Sequence, residues 1–88
     1  MIEMTLRSVG NPDFGQYAPV SPIQKVKTAT IVGAKQAAQA YIDEYELGGG
    51  NFVDPKLVED GKLIGYLSYN LRFWTPEQWS VNHAPRRA

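Results

Sequence analysis

Residues 31–47 are the long stretch of this chain with helical spacing, because Ala34, Ala37, Ala38, Tyr41, Ile42 and Tyr45 recur every three or four positions. They form one apolar stripe, with Lys35, Gln36, Gln39, Asp43 and Glu44 on the opposite side. Alanine loses little entropy on entering a helix. Thr28 or Thr30 can cap the start, Gly48 can take the left-handed C-cap, and the run Gly48-Gly49-Gly50 ends the helix. A helix with one apolar stripe must bury it against another layer. Within 88 residues the other apolar segments are short and strand-like. The expected fold class is therefore α+β, a two-layer domain with one main helix packed on a short antiparallel β-sheet.

The strands follow from alternation with a period of two. In residues 2–8, Ile2, Met4 and Leu6 share one side and Glu3, Thr5 and Arg7 the other. From Ile23 to about Thr30, Val26, Thr28 and Thr30 lie on one face, and Lys25 and Lys27 on the other suit an edge strand. Asp60-Gly61 between two apolar runs predicts a tight type I′ hairpin, since both central residues accept positive φ. Its register sets Glu59 opposite Lys62, Val58 opposite Leu63 and Leu57 opposite Ile64. The second arm is expected to run on to Trp74. Leu63, Leu67, Tyr69, Leu71 and Phe73, with Gly65 in the same row, should meet the helix, leaving Ile64, Tyr66, Ser68, Asn70, Arg72 and Trp74 on the other face.

Residues 10–22 carry Pro12, Pro19 and Pro22 and read as a loop or arm, with Phe14 and Tyr17 as candidate pins to the body. Thr75-Pro76-Glu77-Gln78 matches a helix start and predicts a single turn carrying Trp79. Residues 1–79 are thus expected to form a single α+β domain, and residues 80–88 a flexible C-terminal tail.

The composition narrows function mostly by exclusion. There is no cysteine, so neither a disulfide nor a thiolate metal site can form. Nine basic and nine acidic residues give zero formal charge, unlike an acidic DNA mimic or a strongly basic nucleic-acid binder. The apolar runs fall well short of the roughly 20 residues of a membrane span. The start Met1-Ile2-Glu3-Met4 lacks the basic and apolar regions of a signal peptide. A cytoplasmic location and no membrane partner are expected.

No catalytic, metal or cofactor site is expected. His83 is the sole histidine and falls in the expected tail, where no packed neighbours hold it as a base. Asp43, Glu44 and Glu46 cluster in sequence, but successive helical positions point apart. The glycine run follows a helix instead of preceding one, at the end whose dipole repels anions, so it is no phosphate cradle. What remains is the sheet face opposite the helix. Ile64, Tyr66, Ser68, Arg72 and Trp74 form the candidate interaction surface there, an aromatic and arginine mix typical of interaction hot spots. The competing reading buries Tyr66 or Trp74 under the N-terminal arm or the Trp79 turn.

Residues 47–74 run Leu47-Gly48-Gly49-Gly50-Asn51-Phe52, then the hairpin, then Ser68-Tyr69-Asn70-Leu71-Arg72-Phe73-Trp74. This resembles small uncharacterised proteins of phages, plasmids and genomic islands, which carry a helix, a glycine-containing turn, a hairpin and a Ser-Tyr-Asn-x-Arg-x-Trp ending. The resemblance covers about a third of the chain and implies mobile-element origin without assigning an activity. Leu71 stands where that family tends to have glycine, which argues against a turn at Asn70-Leu71. The expected function is a non-enzymatic protein-binding module, such as an inhibitor of a host system, acting on a protein partner or a second copy. The alternative is a nucleic-acid-binding accessory protein that stacks bases on Tyr66, Arg72 and Trp74 of an open sheet face.

Overall fold

A computed structural model describes residues 1–10, 15, 18, 19 and 21–83. Its elements are β1 (Ile2–Leu6), β2 (Gln24–Thr28), α1 (Ile31–Glu44), β3 (Lys56–Glu59), β4 (Lys62–Leu67), β5 (Phe73–Trp74) and α2 (Pro76–His83). The strands form one antiparallel sheet in the order β2-β1-β3-β4-β5. This is the expected α+β class, with α1 packed on one face.

Alternation in β1 buries Ile2, Met4 and Leu6 against α1 and leaves Glu3, Thr5 and Arg7 outside. α1 presents Ala34, Ala38, Tyr41 and Ile42, and the two alanines let the helix approach the sheet closely. Leu57, Leu67, Leu47 and Phe52 complete this core. Thr30 is the N-cap, its hydroxyl accepting from the Gly33 N–H at 3.0 Å.

Tyr41 is only 1% exposed, yet its hydroxyl is fully used. It donates to the Pro22 carbonyl at 2.6 Å and lies 2.6 Å from Ser21 Oγ, which in turn sits 2.6 Å from the hydroxyl of buried Ser8. These hydroxyls fasten the entrance to β2 onto the helix and the end of β1. Phe14 and Tyr17, the expected pins, lie outside the described residues.

The end of α1 differs from expectation. The helix stops at Glu44, and Glu46 (φ 50°), not Gly48, takes the left-handed position. The Leu47 N–H then bonds the Ile42 carbonyl at 3.0 Å, the long-range bond of a Schellman cap. Burial of Leu47 and Ile42 sets this register. Gly48 to Phe52 form a further turn, whose Asn51 side chain donates to the Val9 carbonyl at 3.0 Å.

The hairpin reverses at Asp60-Gly61 as expected, with both residues at positive φ (52° and 79°). Glu59 pairs with Lys62 and Val58 with Leu63, but Leu57 pairs with Gly65 instead of Ile64. A β-bulge between these pairs makes Ile64 the extra residue. Leu63 therefore shares a row with Val58 and Glu3 on the face away from α1, while Ile64 packs against the core.

The second arm also ends sooner than expected. β4 stops at Leu67, the chain reverses through Leu71 (φ 64°), and β5 returns to pair Tyr66 with Trp74 and Leu67 with Phe73. Leu71 thus adopts the conformation that glycine would favour. Left-handed backbone costs a leucine about 1–2 kcal/mol, and partial burial of its side chain offsets this by a fraction of the roughly 1.5–3 kcal/mol of full burial. Leu71 does pack against the core.

The fold-back requires Gly65. A Cβ there would overlap the Trp74 carbonyl oxygen and lie 2.5 Å from the Phe73 ring. Gly65→Ala should destabilise the domain by about 3 kcal/mol, lowering Tm by more than about 10 °C in a thermal melt. Glu46→Gly should act oppositely. Relief of the left-handed strain, less the added unfolded-state entropy, should stabilise by about 0.5–1 kcal/mol and raise Tm by a few degrees.

Candidate functional site

The face opposite α1 is built from the second row of each strand. Register places Lys25 beside Thr5 and Lys27 beside Glu3 on β2 and β1, then Val58 beside Glu3, Leu63 beside Val58, and Lys56 beside Tyr66. Pairing of Tyr66 with Trp74 extends the row to β5. Among the described residues, this face divides into a half covered by α2 and a half that no described element covers.

α2 covers the half over β4 and β5. Thr75 caps it reciprocally, its hydroxyl accepting from the Gln78 N–H at 3.2 Å while Gln78 Oε1 accepts from the Thr75 N–H at 3.0 Å. The expected single turn continues through His83, so residues 80–83 belong to a helix. Residues 84–88, with Arg86 and Arg87, lie outside the described residues. The Trp79 ring stacks on Tyr66 at 4.4 Å between centroids and 13° between planes, and meets Trp74 edge-on at 6.3 Å. Arg72 places its guanidinium carbon 4.0 Å from the centre of the Trp74 ring. The expectation that one helix leaves this face without a second layer is thus corrected, since a short helix supplies part of one.

Ser68 organises the reversal beneath this cluster. Its hydroxyl accepts from Trp74 Nε1 at 3.0 Å and donates to Asn70 Oδ1, which also accepts from the Arg72 N–H at 3.2 Å. The Leu71 N–H bonds the Ser68 carbonyl at 2.8 Å, and the Tyr69 hydroxyl donates to the Leu47 carbonyl at 3.1 Å. The Ser-Tyr-Asn-x-Arg-x-Trp spacing is therefore a self-supporting turn that also docks on the end of the α1 connection.

Of the five candidate surface residues, Tyr66, Ser68, Arg72 and Trp74 come together, while Ile64 belongs to the α1 side of the bulge. Tyr66 and Trp74 are half-buried. One face of Tyr66 is spent on Trp79, and Arg72 occupies a face of Trp74. The cluster is largely a small second core that holds α2.

The open half lies over β2, β1 and β3. It forms a groove of about 650 Å³ whose charged lining is Arg7, Lys25, Lys27 and Lys56 against Glu3 and Asp54. Val53, Pro55 and Val58 supply apolar lining. Lys27 and Glu3 pair at 3.4 Å, and no described carboxylate pairs with Arg7, Lys25 or Lys56. Sequence reasoning missed this groove because Lys25 and Lys27 read only as edge-strand lysines. Placing Arg7 and Lys56 near them depends on strand order.

Among the described residues, no group of three or more His, Cys, Asp or Glu side chains is placed to hold a metal ion. No helix among them is long and apolar enough to cross a membrane. Compared with family models, curated proteins and solved structures, the chain matches none.

An eight-residue helix is marginal by itself, so α2 depends on Trp79. Trp79→Ala should cost about 2 kcal/mol, a fraction of full tryptophan burial because the ring is half-covered. Hydrogen exchange should show amide protection lost across residues 77–83 while that of α1 persists.

Proposed function

We propose that this protein is a non-enzymatic protein-binding module that works through the sheet face opposite α1. The observation carrying this reading is the uneven cover on that face among the described residues: α2 closes the aromatic half, and no described element closes the adjoining groove. Apolar walls from Val53, Pro55 and Val58 between charged side chains resemble a protein interface, with an apolar centre and a polar rim. The similarity of residues 47–74 to small mobile-element proteins extends the reading to a protein that engages a component of its host, for instance as an inhibitor. A cytoplasmic site of action accords with this reading.

The cation row supports a second reading, an accessory protein that binds nucleic-acid phosphates. It is the weaker one, because Glu3 and Asp54 share the groove and the nearby rings already have partners within the chain. Salt dependence separates the two, since phosphate binding weakens steeply with added salt.

The direct test places the photo-crosslinking residue p-benzoylphenylalanine at exposed Thr5 on the groove or at exposed Gln36 on α1. In native-host extract, position 5 should yield a discrete protein adduct that excess unlabelled protein suppresses, and position 36 should not. Adducts that disappear on nuclease treatment, or equal adducts from both positions, would discard the reading.

A further inference from the structure

We infer that the groove over β2, β1 and β3 receives an acidic segment of a partner protein carrying at least one apolar anchor side chain. This inference rests on the proposed binding role of the face and specifies the chemistry of its occupant.

Charge supplies the first argument. Among the described residues, four cations and two carboxylates line the groove, and Lys27 is the cation paired with Glu3. Arg7, Lys25 and Lys56 have no carboxylate partner among the described residues, which leaves an excess of positive charge. A carboxylate brought here gains from several cations at once, beyond what an isolated surface pair supplies.

Spacing supplies the second. Lys25 and Lys27 are two residues apart on one strand, which separates their attachment points by about 7 Å. An extended peptide repeats its side chains on one face at the same interval, so two acidic side chains can meet the two lysines in register, the one at Lys27 displacing or sharing its exposed pair with Glu3. The apolar lining of Val53, Pro55 and Val58 lies in the same groove and offers a seat for an apolar side chain. Such mixed recognition suits a protein segment better than a phosphate backbone, which has no apolar side chain to offer.

The other occupants fit less well. Single-stranded nucleic acid would stack its bases on aromatic faces, but Tyr66 and Trp74 each commit a face to Trp79 or Arg72. Since exposed Asp60 and Glu77 stand apart, the one cluster of exposed acidic residues that a second copy offers among the described residues is Asp43, Glu44 and Glu46 at the end of α1. Those lie across the sheet from the groove, so the contact would join unlike surfaces and leave each new groove open to another chain.

The test is NMR titration of isotope-labelled protein with an end-blocked synthetic peptide of repeating Asp-Leu-Glu. Oligothymidylate and a repeating Lys-Leu-Lys peptide serve as comparison ligands. The acidic peptide should shift the amides of Arg7, Lys25, Lys27, Lys56 and Val58, and the basic peptide should not. Lys25→Glu with Lys56→Glu should weaken the acidic peptide at least about ten-fold. Both side chains are exposed, so Tm should hold to within a few degrees. Val58→Thr, which leaves the charge and shape of the groove unchanged, should also weaken binding, which pure charge attraction would not require. Shifts confined to α1 or unaffected by charge reversal would overturn the inference, as would tighter binding of oligothymidylate to the same amides. Concentration-dependent self-association abolished by the same charge reversal would overturn it in favour of a second copy. A protein adduct at position 5 with no peptide binding would reject the acidic occupant alone; absence of both would reject the binding face itself.

Discussion

The missing side chain of Gly65 is the constraint on which much of this molecule depends. Because there is no Cβ, the Trp74 carbonyl and Phe73 ring can lie over the backbone of β4. That approach permits the chain to reverse after Leu67 and return as β5. Reversal sets Trp74 beside Tyr66, and the two rings give Trp79 a place to pack. The site of α2, and thus the boundary between closed and open sheet, follows from one small residue in β4.

The molecule accepts backbone strain where side-chain burial offsets it. Glu46 and Leu71 both hold left-handed conformations. At Leu71 the leucine packs against the core while its backbone turns the strand. At Glu46 the residue itself contributes little, and the compensation lies beside it in buried Ile42 and Leu47. Glycine marks the easiest left-handed positions, but the packing of neighbouring residues decides which positions must become left-handed.

That distinction explains what could be read from the sequence. α1, the Asp60-Gly61 turn, the first two hairpin pairs and the Thr75 capping box were all legible, since each depends on residues within one or two turns of chain. The edge position of β2 was legible from Lys25 and Lys27. The bulge at Ile64 and the reversal at Leu71 were not, because each answers to contacts made after the strands assemble; the packing of Trp79 on Tyr66 was legible only as the competing reading, since Thr75-Pro76 starts a helix close to both rings. The residues of the candidate surface were grouped only in part for the same reason. Alternation placed Tyr66 and Trp74 together correctly, but it carried no sign of the helix that packs on them. It also could not show Arg7, Lys25, Lys27 and Lys56 around one groove, since β1, β2 and β3 are neighbours through topology alone.

The hydroxyl chain through Ser8, Ser21 and Tyr41 has a further consequence for how sequence change is tolerated. Ser8 and Ser21 touch through their side chains although 13 positions separate them. The two ends of the stretch between them therefore lie side by side. The entropy of closing such a stretch rises only with the logarithm of its length, about 0.6 kcal/mol for each doubling. Insertions between the two serines should be borne far more easily than insertions of similar length elsewhere in the sheet, provided the serines and Tyr41 remain. A tag or foreign epitope is accordingly best grafted between Gly10 and Ser21, which keeps both serines and the bonds between Val9 and Asn51.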